Sequence, residues 1–110
     1  MDASVDYLKH AKDAIKTEQH ALDLLIEQLD ERFVTACHLI ENCQGRVVVT
    51  GMGKSGLIGR KIAATFASTG TPSFFMHPGE AGHGDLGMLV KGDVLIGISN
   101  SGESDEIRTL

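Results

Sequence analysis

Two short segments rich in glycine and serine carry the groups best suited to chemistry. Residues 51–56 spell GMGKSG and residues 99–104 spell SNSGES. Each segment follows an apolar run typical of a strand and precedes residues typical of a helix. Such turns direct backbone N–H groups and hydroxyls at a ligand in front of a helix N-terminus, an arrangement that binds anions and phosphate above all. The pair predicts one phosphate held between two turns.

Both segments offer several hydrogen-bond donors for a single anion. The second places three serine hydroxyls and a side-chain amide within six residues, which is more than a helix cap needs. A cap formed by Asn100 with Glu103 is compatible with phosphate binding, because both use the same helix end. The predicted phosphate-binding residues are Gly53, Ser55, Ser99, Asn100, Ser101 and Ser104.

The first turn has competing interpretations. Its GxGxxG pattern is that of dinucleotide sites, but the next apolar segment does not end in the carboxylate that should hold a ribose. A P-loop needs a glycine where Val48 stands. A third interpretation is a cradle for a sugar phosphate that uses Lys54 and Ser55 as well as backbone N–H groups. The fourth is a turn that needs its glycines only for packing.

Ionisable residues near the two turns could act on the remainder of a bound ligand. Acids at the start of the helix predicted after residue 101 complement its dipole, but one of them beside a bound phosphate could serve as an acid/base. His83 lies between two glycines and could reach the ligand. It could also hold a metal with His77, Glu80 and Asp85, although the spacing of the two histidines matches no strong zinc pattern.

The apolar pattern predicts the elements that must position these residues. The predicted elements are helices over 4–29, 30–42 and 57–68, strands over 47–50, 72–76 and 93–99, a glycine-rich loop over 77–88 and a helix from about residue 101. Their order predicts an α/β fold with a doubly wound parallel sheet of order 2-1-3, preceded by N-terminal helices. In that order the first and third strands lie side by side, so both turns border one crevice.

Composition and charge limit the classes of function. The chain has 110 residues, a net charge of −5 and scattered rather than clustered basic residues, which disfavours nucleic-acid binding. It has no apolar run long enough to span a membrane, and its first residues do not resemble a signal peptide, so a cytoplasmic location is expected. Apolar residues at helical spacing form a seam on the first helix: Leu8, Ala11, Ile15, Leu22, Leu25 and Leu29. We expect this seam to pack against the rest of the domain or against a partner helix.

The run over residues 47–88 closely resembles arabinose 5-phosphate isomerases, and residues 98–104 resemble the serine loop of the wider sugar isomerase (SIS) domain family. The resemblance implies an aldose–ketose isomerase that interconverts ribulose 5-phosphate and arabinose 5-phosphate through an enediol and supplies the Kdo sugar of lipopolysaccharide. It implies phosphate binding by the serines, polarisation of a sugar oxygen by Lys54 and acid/base catalysis by Glu106. It also implies a role for His83 at the site and in binding an inhibitory metal such as zinc. No cofactor is required for such chemistry, and the family forms tetramers.

The same resemblance implies a division of the chain. Residues 1–45 are expected to form an N-terminal helical segment, and residues 46–110 the first part of an SIS domain. Members of the family continue with further strands, a second acid and another histidine, so the isolated chain is expected to be inactive. The alternatives are a phosphosugar-sensing module without catalysis, half of a dinucleotide-binding domain, and an oligomerisation fragment.

Overall fold

The computed structural model describes residues 4–81 and 85–102. The chain divides into two compact units, Met1–Ala36 and Cys37–Leu110. The sheet and both candidate turns belong to the second unit. The functional division expected at residue 46 stays a prediction.

The N-terminal helices form where the sequence predicts them. Helix α1 spans Tyr7–Gln28 and helix α2 spans Glu31–Glu41. Asp6 caps α1, since its carboxylate accepts a hydrogen bond of 2.9 Å from the backbone N–H of Lys9.

The apolar seam of α1 is exposed. Leu8, Ile15 and Leu22 are 71%, 57% and 62% exposed, and α1 buries none of its residues. The expectation that this seam packs against the rest of the domain or against a partner helix stays a prediction. Helical spacing specifies an apolar surface but not the surface that covers it. On α2, Ile40 packs against the core, whereas Phe33 remains exposed.

Three parallel strands form the sheet. They are β1 (Val47–Gly51), β2 (Ser73–Phe75) and β3 (Val94–Ile98), and their order β2-β1-β3 confirms the predicted topology. Strand β1 is central and every one of its residues is buried. A run of β-branched residues without polar alternation suits this place, because neighbours and layers cover a central parallel strand on all sides.

Side chains pack on both faces of the central strand β1. Helix α3 (Gly53–Ser68) lies on one face, where Ala63 packs with Val47 and Val49. Gly59 permits this close approach, since a Cβ there would lie 3.0 Å from the Phe75 ring and 3.2 Å from a methyl of Val49. The opposite core consists of buried Val48 and Met76, with Phe74 and Leu89 packed against them.

Among its described residues, the connection from β2 to β3 contains two short helical turns, and it ends in hydrogen bonds to the Asp93 side chain. Helix α4 covers Pro78–Ala81, and a 3₁₀ helix covers Asp85–Met88. The Asp93 side chain is 3% exposed and accepts hydrogen bonds from the backbone N–H groups of Arg46 (2.8 Å) and Val90 (2.9 Å). These bonds hold the pKa of Asp93 below its ordinary value. These two hydrogen bonds, called the Asp93 staple below, thereby join the starts of β1 and β3.

No helix within residues 4–81 and 85–102 combines the length and the apolar character needed to cross a membrane.

Candidate functional site

The carboxyl ends of β1 and β3 lie next to each other. The parallel register pairs Thr50 with Gly97 and Gly51 with Ile98. A Cβ on Gly51 would lie 3.0 Å from the carbonyl oxygen of Ser55 and 3.1 Å from that of Ile98. The two turns therefore begin side by side at one edge of the sheet, as the predicted strand order requires.

Helix α3 begins earlier than expected, at Gly53 rather than Leu57. Met52 is extended, and Gly53 adopts a left-handed φ of 59°, so the chain turns into the helix within two residues. The turn and the helix start thus overlap, which places Lys54 and Ser55 in the first helical turn. Glycine spacing indicates a turn but not that a helix begins inside it.

The N-terminus of α3 presents donors to an anion. Met52 supplies no side-chain hydrogen bond as a cap, and the first N–H groups of a helix have no partner within the helix. Lys54 is exposed and Ser55 is half-buried. Gly56 lies against the end of β1, since a Cβ there would approach the carbonyl oxygen of Gly51 to 2.6 Å. This contact holds the helix N-terminus at the sheet edge.

The second turn is partly organised by its own serine. The hydroxyl of Ser99 accepts a hydrogen bond of 2.9 Å from the backbone N–H of Gly102, whose φ of 72° is left-handed. Ser99 is half-buried, and Asn100 and Ser101 are exposed. Because it acts as an acceptor in this bond, the Ser99 hydroxyl keeps its own proton for donation to a ligand.

The described part of the chain brings six of the predicted residues to this edge: Gly53, Lys54, Ser55, Ser99, Asn100 and Ser101. His83, Ser104 and Glu106 lie outside the described residues. Residues 4–81 and 85–102 contain no group of three or more histidine, cysteine or acidic side chains able to hold a metal. His77 follows β2, and its Nδ1 accepts a hydrogen bond from the N–H of Gly79.

Sequence reasoning missed Thr50. Its side chain is 0% exposed, and its hydroxyl has no hydrogen-bond partner among the described residues. The feature of the sequence that could have indicated it is a threonine directly after three consecutive valines.

Comparison with known proteins gives consistent results. Residues 39–110 match the model of the SIS domain. The whole chain is 56% identical to the arabinose 5-phosphate isomerase KdsD of Yersinia pestis and 54% identical to that of Pseudomonas aeruginosa, and it covers 34% of each relative. A protein of Escherichia coli CFT073, solved in complex with arabinose 5-phosphate, aligns with a TM-score of 0.88 at 50% identity. That alignment covers 99% of this chain and 57% of the solved chain.

The chain thus spans about a third of the length of the curated relatives it matches. The match to the family model includes the sheet and both turns, and it confirms the resemblance drawn from the sequence. The chain belongs to the SIS domain family.

Proposed function

We propose that the whole protein carrying this chain is an aldose–ketose isomerase that interconverts D-ribulose 5-phosphate and D-arabinose 5-phosphate. The observation that carries the proposal is that the two glycine- and serine-rich turns begin at the adjacent ends of β1 and β3. The identity to arabinose 5-phosphate isomerases supports the choice of substrate. In this proposal the chain supplies the phosphate cradle, and the rest of the whole protein completes the site.

The phosphate would lie between the two turns. The first N–H groups of α3 and the Ser55 hydroxyl approach it from one side, with the positive end of the helix dipole behind them. Ser99, Asn100 and Ser101 would approach it from the other, and the family resemblance assigns Ser104 to the same phosphate. An ester phosphate held by this many neutral donors needs no cluster of basic residues, which agrees with the net charge of −5.

The chemistry requires one proton to move between two neighbouring carbons. A base removes the C2 proton of the aldose while O1 gains a proton, which gives the enediol. The carbon-bound proton then returns to C1 while O2 loses its proton and becomes the carbonyl oxygen of the ketose. We assign the acid/base role to Glu106 and the polarisation of a sugar oxygen to Lys54, with His83 assisting at the site. These proton transfers need no redox cofactor. Inhibition by a divalent ion such as zinc, held at His83, is a proposal that rests on the family resemblance.

The exposed seam of α1 supports a homo-oligomer, with a tetramer as the form implied by the family. A cytoplasmic isomerase of this kind would feed the Kdo sugar of lipopolysaccharide. No nucleic acid or membrane is included among its partners.

Replacement of Lys54 tests the catalytic part of the proposal. In the whole protein, Lys54→Ala should lower kcat by about 10²- to 10³-fold, because the developing oxyanion loses a preorganised cation. Binding of arabinose 5-phosphate should weaken much less, since the phosphate keeps its own donors. The measurements are ribulose 5-phosphate formation and calorimetric titration.

Lys61→Ala is the matched control, because Lys61 is an exposed lysine of the same helix. Unchanged turnover in the Lys54→Ala protein would remove this residue from the mechanism. Tight binding without turnover by the unsubstituted whole protein would instead favour the phosphosugar-sensing module.

A further inference from the structure

Thr50 carries a hydroxyl in a position where a valine methyl would be expected. Strand β1 has the sequence VVVTG, and its three valines and Thr50 are each 0% exposed. Threonine and valine have nearly the same shape. A buried hydroxyl without a partner destabilises a protein, so an unsatisfied group of this kind needs a physical explanation.

Among the described residues, no neighbour supplies the Thr50 hydroxyl with a hydrogen-bond partner. Side chains alternate along a strand, so Thr50 shares the face of Val48, opposite α3. The buried neighbours of that face are apolar, as Met76 is. On β3 its register partner is Gly97, which has no side chain. Thr50 lies at the carboxyl end of the sheet, one residue before Gly51 opens the first turn, and the second turn begins one residue beyond Ile98, the register partner of Gly51.

We propose that Thr50 is a positioning residue of the sugar-phosphate site, and that its hydroxyl gains a hydrogen bond only when the site is occupied. This inference rests on the proposed function. The partner is a polar group of the turns that the bound phosphate orders, or a water held with it at the strand end. The hydroxyl thereby couples the end of β1 to occupation of the cradle, without contacting the reacting carbons.

In this role the Thr50 hydroxyl contributes to the affinity for the ligand but not to the stability of the unliganded protein. Thr50→Val removes the hydroxyl and keeps the shape, so the unliganded protein should be as stable as the original or more stable. The same variant should bind arabinose 5-phosphate about three- to tenfold more weakly, the effect of one net hydrogen bond. A purely structural threonine would give the opposite pattern. Thr50→Ser keeps the hydroxyl and should retain the affinity while losing stability through the missing methyl.

The experiment compares the whole protein and its variants by thermal unfolding with and without arabinose 5-phosphate, and by calorimetric titration. The matched control is Val48→Thr, which places a second hydroxyl on the same buried face, further from the strand end. That variant should lose stability and keep its affinity. Thr50→Val should show an unchanged or raised unfolding temperature and a smaller shift on addition of the ligand.

Two results would overturn the role of Thr50 alone. One is a ligand-induced change in the unfolding temperature of Thr50→Val that equals the change in the original protein. The other is a loss of stability in unliganded Thr50→Val, which would show that the hydroxyl already has a partner. If arabinose 5-phosphate neither binds to the original protein nor changes its unfolding temperature, the proposed function is contradicted, and the role of Thr50 is contradicted with it.

Discussion

Two glycines at the first turn are required by the space around them. A side chain on Gly51 would press on backbone atoms of Ser55 and Ile98, and one on Gly56 would press on the carbonyl of Gly51. Backbone atoms cannot rotate away as a flexible side chain can. These glycines therefore set how closely the helix N-terminus approaches the sheet edge.

Gly56→Ala should lower the free energy of unfolding by about 1–3 kcal/mol, the usual cost of overpacking a tight site. The added methyl would lie 2.6 Å from the Gly51 carbonyl oxygen, so either the turn or α3 must shift. Urea unfolding followed by circular dichroism gives the value. Gly87→Ala is the control, since no atom of the described residues lies within 4 Å of a Cβ there. Equal stability of the two variants would show that the turn accommodates a methyl group at position 56 without strain.

At this scale the sequence indicates which residue types could bind a ligand, but it does not predict the environment of each side chain. Serine, lysine and glycine at a strand–helix junction indicate an anion site, because few other uses need so many donors in one turn. The same sequence does not show that the Thr50 hydroxyl is buried without a partner. Valine and threonine are both β-branched and suit a strand equally, so the difference emerges only when neighbouring strands surround the residue.

The elements follow the sequence where their pattern is strong. The valine run gives β1, the apolar stripe gives α3, and strand order 2-1-3 follows from two crossovers on opposite faces. The start of α3 was predicted too late because glycines are poor helix formers, and the contact of Gly56 with β1 outweighs that preference. The helix predicted from residue 101 lies largely outside the described residues.

The staple at Asp93 makes sheet stability depend on pH. Hydrogen bonds from Arg46 and Val90 lower the pKa of Asp93 from its ordinary value of 3.8. The ionised form therefore stabilises the fold fully above that pH. The contribution is lost as the pH falls from 3.8 through the folded-state pKa, because the unfolded chain takes up the proton first.

Asp93→Asn should therefore be less stable at neutral pH and should lose less of its remaining stability on acidification. Urea unfolding over an acid pH series measures both effects. Asp23→Asn serves as the control, since Asp23 lies on exposed α1 and makes no comparable bonds within the described part of the chain. If the free energies of unfolding of the original protein and of Asp93→Asn fell in parallel as the pH is lowered, the role of the Asp93 staple would be contradicted.

At the scale of the whole molecule, the apolar seam of α1 stands out because its large side chains are exposed. A row of large apolar side chains on one helix face, exposed among charged neighbours, is typical of an interaction surface. The sequence predicts the seam, because spacing alone defines it. It cannot predict the partner, since an internal surface and a second copy satisfy the same spacing equally well.

Charges placed on the seam test the proposed oligomer. Ile15→Asp combined with Leu22→Asp should convert the whole protein to a smaller species, because two carboxylates would be buried against an apolar partner. Light scattering after size-exclusion chromatography measures the mass. Thr17→Asp with His20→Asp adds the same charges on another face of α1 and should leave the mass unchanged. An unaltered mass in the seam variant would exclude α1 from the interface.

The central position of β1 has a consequence for the order of folding. Its partners β2 and β3 both follow it in the chain, and β3 pairs with it across a long sequence separation. Such distant pairings form slowly, because a long loop must close before the contact contributes. The two turns therefore come together only when β3 pairs with β1, and a newly made chain cannot form the proposed phosphate site before residues 94–98 have docked.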